Sequence, residues 1–347
     1  MTSPFWEPGI PSGAGADRPP EERGLARDHV RLLVTTATKD SDRVFSELPK
    51  ILRAGDLLVV NESATLPASL PARSSLGAFR INLSTAYGKD LWVAEPRWGP
   101  GQPGPLPLDM HEPLQVAGVE CSLVAPYPGI PRLVFLRAKG DLNEAMRQEG
   151  RPIRYGYAAR EFPLDAYQTT FARVPGSAEM PSAARPFTPE LVERLRSADI
   201  RFARIVLHAG VSSLEFGDFP PGVAPVYPEP FEVPEETVQS IHEARARGGR
   251  VVAVGTTVVR ALESATDACG LRASRGFTRL YLSPDRPIRS VDGLVTGFHE
   301  SRSTHLALLA AFVDAPRIRR AYEAAARGGY LWHEFGDSHL IFRNGTA

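Results

Sequence analysis

The sequence predicts an α/β protein in which a large, barrel-like α/β domain carries a small inserted antiparallel β-barrel domain. Three observations support this fold class. A strand–turn–helix unit occupies residues 250–264, helices and strands alternate from about residue 185 onward, and residues 64–150 contain short apolar runs without helical periodicity. Alternating helices and strands are typical of a mainly parallel sheet or an α/β barrel. Short runs separated by turn residues are typical of small antiparallel barrels and sandwiches.

The unit at residues 250–264 reads RVVAVGTTVVRALES. Its β-branched beginning predicts a buried parallel strand, and Gly255 predicts a tight turn into a helix. Thr256 and Thr257 supply hydroxyl groups at the N-terminus of that helix, where backbone N–H groups are free. Because ligands of α/β proteins bind at the carboxyl ends of parallel strands, this turn is the first candidate for a binding site.

Arg260 lies in the first turn of the predicted helix, where a cation opposes the helix dipole. Two interpretations follow from this position. The guanidinium could form an ion pair with an anionic group near the helix N-terminus, or Arg260 could pair with Glu263 on a solvated helix face. The spacing alone leaves both open.

The domain boundaries are placed where the pattern changes. We expect residues 1–63 and 151–347 to form the large α/β domain, and residues 64–150 to form the inserted β-barrel. Residues 1–25 are rich in Pro and Gly, which predicts an irregular surface segment. Within the large domain, apolar runs predict strands over 57–60, 203–207, 279–282 and 294–296, among others.

Composition narrows the class of protein further. Forty basic and forty acidic residues cancel, so no overall field attracts nucleic acid or a membrane, although a local basic patch stays possible. Cys121 and Cys269 are far apart in sequence, which is typical of a protein from a reducing compartment. Neither they nor the histidines match a metal-binding spacing, so we expect no metal. The sequence shows no secretion signal and no apolar run of membrane-spanning length, and we therefore expect a cytoplasmic protein with no membrane contact.

Polar residues recur directly after predicted strands. Asn61, His208 and His299 hold such positions, and they should converge on one edge of the sheet. Each histidine could instead be a satisfied structural residue. Ser303 and Thr304 open an apolar helix after His299, a pattern that fits either an anion site or a capping cluster.

Other candidates lie in loops. Asp292 and Asp337 are possible acids, although a single loop aspartate is often a helix cap or turn residue. Arg154, Tyr167 and Thr169 belong to a stretch rich in Arg and Tyr, which could line a substrate entrance or cover a linker. No glycine-rich dinucleotide motif, phosphate-binding loop or hydrolase elbow is present in the sequence.

Six sequence blocks begin at residues 55, 167, 204, 251, 291 and 321. In chain order they read GDLLVVNES, YQTTFARVPGS, RIVLHAG, VVAVGTTVVRALES, VDGLVTGFHESRST and AYEAAARGGYLWHEFGDSHLIF. Together these blocks resemble the S-adenosylmethionine:tRNA ribosyltransferase-isomerase family of queuosine biosynthesis. The resemblance covers most of residues 27–343 and implies a barrel-like α/β domain with an inserted β-barrel.

The resemblance also implies a reaction. S-adenosylmethionine would donate its ribosyl part to a 7-aminomethyl-7-deazaguanine base in tRNA, which gives epoxyqueuosine and releases adenine and methionine. The sulfonium acidifies the C5′ protons, so a general base is needed, and adenine must be protonated or hydrogen-bonded as it leaves.

The resemblance assigns candidate roles by position. The S-adenosylmethionine site would comprise Thr256, Thr257, Arg260, Glu263, Ser303 and Thr304. Proton transfer would fall to His208 and His299, with Asp292 and Asp337 as orienting groups. The acceptor would be bound by Asn61, Arg154, Tyr167, Thr169 and Arg185.

The chain departs from the family pattern in several loops. Residues 61–64 read NESA, without the arginine of the family pattern, and residues 181–187 read PSAARPF, without its glycine and histidine. Residues 209–214 and 226–229 also differ. Three hypotheses therefore stand: the family reaction on tRNA, a divergent enzyme or lyase that uses S-adenosylmethionine with a small acceptor, and a non-catalytic nucleoside- or RNA-binding module. We expect a monomer or a weak homo-oligomer.

Overall fold

The computed structural model of the chain describes residues 13–98, 106, 108–211, 226–300 and 303–343. Its α-helices are α1 (Leu48–Ile51), α2 (Leu142–Glu149), α3 (Pro189–Ser197), α4 (Glu235–Ala246), α5 (Thr256–Ser264), α6 (Thr304–Phe312) and α7 (Ala315–Arg327). Its strands are β1 (Arg31–Thr35), β2 (Asp40–Val44), β3 (Leu57–Asn61), β4 (Ser63–Thr65), β5 (Ser69–Ser74), β6 (Gly77–Ala86), β7 (Leu91–Arg97), β8 (Pro113–Val116), β9 (Val119–Pro126), β10 (Val134–Ala138), β11 (Val174–Ser177), β12 (Arg201–Leu207), β13 (Glu229–Val233), β14 (Val251–Val254), β15 (Thr266–Asp267), β16 (Gly270–Leu271), β17 (Ser274–Thr278), β18 (Gly293–Gly297) and β19 (Ser338–Phe342).

A mixed nine-stranded sheet forms the large domain, in the order β17-β13-β12-β3-β14-β18-β19-β1-β2. The four central strands β12, β3, β14 and β18 are parallel, and β19 pairs in parallel with β1. Antiparallel strands occupy both ends of the order. Over the residues that the structure describes, the sheet has two edges, β17 and β2, and does not close into a barrel. The predicted α/β class is confirmed, and all four central strands end at the same edge of the sheet.

Apolar helices cover both faces of this sheet. One face packs against buried side chains of α4, α5, α6 and α7, and the other packs against α1 and α3. Strands β3 and β14 are buried along their whole length because both of their faces are covered, which explains their apolar sequences.

The inserted antiparallel barrel is closed, with the strand order β10-β7-β6-β5-β8-β9. Helix α2 contributes Leu142, Ala145 and Met146 to its core. The Ser84 hydroxyl on β6 accepts from the Val211 backbone N–H at 2.9 Å, and it hydrogen-bonds the Tyr227 hydroxyl at 2.8 Å. These contacts join the barrel to the large domain. The predicted domain limits at residues 64 and 150 stay a prediction.

Two predicted features differ from the structure. Residues 279–282 are not a strand, because the neighbouring strand β17 already ends at Thr278 after pairing with β13. Residues 1–12 lie outside the described part of the chain, but the segment that follows is anchored instead of irregular at the surface. Ala14 and Ala16 are buried and exchange backbone hydrogen bonds with Trp332 at 2.8 and 3.0 Å.

A buried ion pair ties the start of β3 to the start of β14. The Asp56 carboxylate accepts from the Arg250 backbone N–H at 3.0 Å and from its guanidinium Nη2 at 2.7 Å. It also accepts from the Arg53 N–H at 2.8 Å, and the guanidinium lies 4.3 Å from the ring centroid of Phe342. Because Asp56 is only 1% exposed, removing it would leave a buried cation without its counter-charge.

We expect Asp56→Ala to lower the free energy of unfolding by about 3–5 kcal/mol, measured by urea denaturation, because breaking one side of a buried pair costs that much. The control is Glu193→Ala, which breaks an exposed pair with Arg196 and should leave the unfolding midpoint nearly unchanged. Equal midpoints for the two variants would contradict the role of the Asp56–Arg250 pair.

Candidate active site

A cavity of about 240 Å³ opens at the edge of the sheet where β14 and β18 end. Its wall is built from the turn after β14, the loop after β18, the segments after β11 and before β13, and the loop before β19. Strands β14 and β18 end at this edge because they are parallel, as the positions after the strands predict. Strands β13 and β19 begin there because they run antiparallel to β12 and β18.

The N-terminus of α5 forms one part of the wall. Gly255 has φ 103°, a left-handed value that a residue with a side chain adopts only under strain, and it turns the chain from β14 into α5. No side chain in the described part of the chain caps this helix, although Thr256 and Thr257 both line the cavity. The Thr257 hydroxyl instead accepts from the Asn61 amide at 3.3 Å. Among the described residues, the first N–H groups of α5 therefore have no side-chain acceptor.

Arg260 also lines the cavity, and its partner is Glu229, not Glu263. Its Nη1 donates to Glu229 Oε2, and its Nε donates to the Leu280 carbonyl at 3.2 Å. Glu229 accepts the Gly210 backbone N–H at 2.8 Å through its other oxygen. The Nη2 of Arg260 is buried without a hydrogen-bond partner in the described structure. A buried N–H group without an acceptor is costly, and an anionic ligand in the cavity would satisfy it.

Two histidines stack in the loop after β18 and the first turn of α6. The rings of His299 and His305 lie 4.4 Å apart and are parallel within 6°. His299 Nε2 hydrogen-bonds the Thr296 hydroxyl at 2.7 Å. Burial, with a smaller contribution from His305, holds the pKa of His299 well below its usual range, and burial lowers the pKa of His305 to about 4. Both imidazoles are therefore neutral at pH 7.

A column of three rings forms a further part of the wall. Tyr155 stacks on Tyr157 at 6.0 Å, and Tyr157 stacks on His333 at 3.9 Å with the two ring planes 1° apart. The Tyr157 hydroxyl donates to Glu334, and the Tyr155 hydroxyl donates to Glu179. Burial raises the pKa of Glu334 to about 7. The cavity thus combines neutral histidines with carboxylates held by tyrosines.

Seven of the predicted site residues line this cavity. They are Tyr167, Thr256, Thr257, Arg260, His299, Ser303 and Thr304. Ser303 is also the N-cap of α6 and accepts the Leu306 N–H at 3.3 Å, so the capping interpretation is confirmed and the anion site stays a prediction.

Three predicted carboxylates are not brought to the cavity, because each accepts backbone N–H groups elsewhere. Asp292 accepts from Val251 at 2.9 Å, at the amino ends of β14 and β18. Asp337 accepts from the N–H groups of Arg31 at 2.9 Å and Leu331 at 2.8 Å. Glu263 accepts from two successive N–H groups, those of Arg289 and Ser290, at 2.7 Å each. These side chains hold loops, and we do not carry them into the proposed site.

Asn61, His208 and Thr169 form part of the structure behind the cavity. His208 Nδ1 hydrogen-bonds the Ser63 hydroxyl at 2.7 Å, and burial lowers the pKa of this imidazole. The His208 ring also lies so close to Gly176 that a Cβ atom at this glycine would overlap it, at 2.4 Å from Nδ1. Thr169 accepts the Phe171 N–H at 3.3 Å.

The two predicted acceptor-binding arginines also point elsewhere. Arg154 donates to the Ala158 carbonyl at 2.9 Å. Arg185 is 3% exposed, donates to the Ala166 carbonyl at 2.9 Å and pairs with Glu21 at 3.1 Å. Arg185 therefore ties the N-terminal segment to the large domain and does not enter the cavity.

Sequence reasoning missed several cavity residues. They are Glu179, Glu229, His305, His333 and Glu334. Tyr155 and Tyr157 also line the cavity, and they belong to the Arg- and Tyr-rich stretch that could line a substrate entrance. His333 and Glu334 lie in a block that carries the family resemblance. Nothing in the spacing of Glu179 or Glu229 distinguishes them from surface glutamates.

Two findings concern the described residues as a whole. They contain no group of three or more His, Cys, Asp or Glu side chains arranged to hold a metal ion. They also contain no helix that is long and apolar enough to cross a membrane.

Comparisons with known proteins agree with this architecture. The family described as "Queuosine biosynthesis protein" matches residues 9–341. The S-adenosylmethionine:tRNA ribosyltransferase-isomerase of Thermus thermophilus is 38% identical over 325 residues, which cover 91% of this chain and 93% of the relative. The Thermotoga maritima protein of the same name is 34% identical over 338 residues and covers 96% and 97% of the two chains.

A solved structure gives the same result. The crystal structure of S-adenosylmethionine tRNA ribosyltransferase from Thermotoga maritima is similar over 98% of this chain and 100% of that chain, with a TM-score of 0.56 and 28% identity. A mixed α/β domain with an inserted barrel and a strand-end cavity defines the class of protein, and the full-length matches identify its family. The chain belongs to the S-adenosylmethionine:tRNA ribosyltransferase-isomerase family of queuosine biosynthesis.

The buried histidines lead to a pH prediction. Because burial lowers the pKa of His305 and of His333 to about 4, their ring C–H resonances should not shift between pH 8 and pH 5.5. Two-dimensional NMR, with resonances assigned through His305→Gln and His333→Gln, measures this directly. Free histidine in the same sample is the control, since its pKa is near ~6.5. A shift of either ring's resonances between pH 8 and pH 5.5 would show that the ring becomes protonated, and it would contradict the neutral, buried state.

Proposed function

We propose that this protein transfers the ribosyl part of S-adenosylmethionine to a 7-aminomethyl-7-deazaguanine base in tRNA, forming epoxyqueuosine and releasing adenine and methionine. The family membership supports the reaction. The observation that carries it to this chain is the cavity wall at α5, where the buried, unpartnered Nη2 of Arg260 lies beside Thr256 and Thr257.

The wall at α5 suits the methionine carboxylate of S-adenosylmethionine. A helix N-terminus presents N–H groups and a partial positive charge, both of which favour an anion. The free Nη2 of Arg260 adds a charge-assisted hydrogen bond, while the Glu229 contact holds the guanidinium in place. Ser303 and Thr304, at the start of α6, add hydroxyl groups to the same cavity.

The stacked histidines suit the carbon-acid step. The sulfonium makes the C5′ protons acidic, and a neutral imidazole is a base that needs no prior deprotonation at pH 7. His299 is the proposed acceptor of this proton, because its ring lines the cavity and the Thr296 hydroxyl orients it. His305 supports the neutral state of His299 because a positive charge on either ring disfavours charge on the other.

The acceptor is the tRNA base, which enters the cavity as a flipped-out nucleotide, since a base within a stack cannot reach an enclosed site. Because the formal net charge of the protein is zero, no overall positive charge attracts tRNA. In this proposal the tRNA phosphates contact a local basic patch. In this proposal the protein acts in the cytoplasm, as a monomer or weak homo-oligomer, and without a metal ion.

Adenine release from S-adenosylmethionine tests the proposal. We expect the purified protein to release adenine with tRNA that carries the 7-aminomethyl-7-deazaguanine base, and not with tRNA that carries guanine at that position. Chromatography with ultraviolet detection measures adenine, and omission of tRNA is the second control. Release without any tRNA would replace this proposal with the small-acceptor or lyase hypothesis, and binding without release would leave a non-catalytic module.

The role of Arg260 has its own test. The double variant Arg260→Gln/Glu229→Gln removes both charges together, so no unpaired buried charge is left. We expect it to bind S-adenosylmethionine roughly 10- to 100-fold more weakly, because a hydrogen bond to a charged group is worth about 1.5–3 kcal/mol.

Isothermal calorimetry measures this affinity. The control is Arg245→Gln, which removes a guanidinium that donates to the Ser290 carbonyl outside the cavity. An unchanged dissociation constant in the double variant would remove Arg260 from the proposed carboxylate site.

A further inference from the structure

Glu334 is a cavity residue that the proposed function has not yet used. It lies in the loop between α7 and β19, and it lines the same cavity as Arg260 and His299. No basic side chain forms an ion pair with it among the described residues. Its carboxylate therefore faces the cavity with a tyrosine as its hydrogen-bond donor.

Tyr157 holds this carboxylate in one orientation. Its ring is packed between Tyr155 and His333, at 6.0 and 3.9 Å, so the hydroxyl that donates to Glu334 has little freedom to move. His333 is in turn placed 3.7 Å from Glu300. A carboxylate held by a rigid donor keeps its second oxygen available for a ligand, which is the arrangement that a proton acceptor in a cavity needs.

The charged and titratable groups around Glu334 are Tyr157, Tyr167, Glu179, Arg185 and His333. Burial raises the pKa of Glu334 to about 7. The negative charge of Glu179 also raises this pKa, whereas the hydrogen bond from Tyr157 and the positive charge of Arg185 lower it. Burial also keeps His333 neutral, and it raises the pKa of Tyr167. The group therefore changes charge near neutral pH, where general-base catalysis is most effective.

The proposed acceptor presents a chemical requirement that such a group meets. A primary aminomethyl group is an ammonium ion at pH 7, and its nitrogen has no lone pair until a proton leaves. The negative charges of Glu179 and Glu334 favour a cation in this part of the cavity and disfavour the carboxylate of S-adenosylmethionine. A carboxylate accepts a strong hydrogen bond from an ammonium N–H. A C–H group, such as the one at C5′, donates only a weak hydrogen bond.

We propose that Glu334 is the base that deprotonates the acceptor's ammonium group, with Tyr157 as its positioning residue. In this step one N–H bond breaks, the proton forms an O–H bond on Glu334, and the electron pair stays on nitrogen as the lone pair that attacks the ribosyl group. The step is separate from removal of the C5′ proton, which falls to His299. The inference rests on the proposed function, because it assigns the acceptor end of the same site.

The test is the pH dependence of kcat/KM for adenine release with the precursor-bearing tRNA. The base must be ionised, so the rate should fall as the pH drops through about 7. Glu334→Gln should lower kcat/KM by roughly 100-fold or more and remove this acidic limb. Its affinity for S-adenosylmethionine, measured by calorimetry, should stay unchanged. The matched control is Glu149→Gln, an exposed glutamate at the end of α2 in the barrel domain.

Two further variants should shift the acidic limb of the kcat/KM pH profile in opposite directions. Tyr157→Phe removes a hydrogen bond that favours the carboxylate, so the limb should shift to higher pH. Glu179→Gln removes a neighbouring negative charge, so the limb should shift to lower pH. A purely structural role for these residues predicts a loss of rate without either shift.

A readout without turnover accompanies these assays. The side-chain carboxyl carbon of Glu334, labelled with ¹³C and assigned by its absence in Glu334→Gln, should titrate near pH 7 in the wild-type protein. An active enzyme whose acidic limb survives in Glu334→Gln, or a Glu334 carboxyl that titrates near its usual ~4.3, overturns this inference and leaves the proposed function standing. A folded wild-type protein that releases no adenine with any acceptor overturns both.

Discussion

The side chain of Asn61 holds the edge of the sheet at which the cavity forms. Its amide nitrogen donates to the Leu207 carbonyl at 2.8 Å, and its oxygen accepts from the N–H groups of Leu207 and Ser63 at 3.1 Å each. The same nitrogen reaches the Thr257 hydroxyl. One fully buried amide therefore links the ends of β3 and β12 to the first turn of α5. Because a buried amide must satisfy both its donor and its acceptor, the three elements keep one relative arrangement.

This edge places unlike groups in one low-dielectric space. The Arg260 guanidinium and the α5 N-terminus favour an anion, while Glu179 and Glu334 favour a cation. His299 and His305 in the same cavity stay neutral because burial disfavours their charged forms. A zwitterionic sulfonium donor and an amine acceptor present both kinds of charge. The cavity is therefore suited to bring two differently charged substrates together and to divide proton transfer between separate groups.

The sequence predicted correctly those cavity residues that directly follow the end of a buried strand. Thr256, Thr257 and Arg260 were predicted from a turn between a buried strand and an amphipathic helix, and the structure places all three at the cavity. Asp292 and Asp337 were predicted as loop acids, yet each accepts backbone N–H groups outside the cavity. A sequence shows that an aspartate follows or precedes a strand, but it does not show which N–H group will lie within reach.

The sequence by itself determined the α/β class with its inserted barrel, the family and the α5 turn, because each depends on local periodicity or on contiguous blocks of residues. Only the tertiary structure decided that Arg260 pairs with Glu229, that Arg185 serves the N-terminal segment, and that Tyr157 and Glu334 meet in the cavity. Tyr157 and Glu334 are 177 positions apart. Their contact brings the segment between α2 and β11 against the loop between α7 and β19, and burial at this place raises the pKa of Glu334. Contacts and solvent exclusion at that range are properties of the folded chain, since no local pattern of residues encodes them.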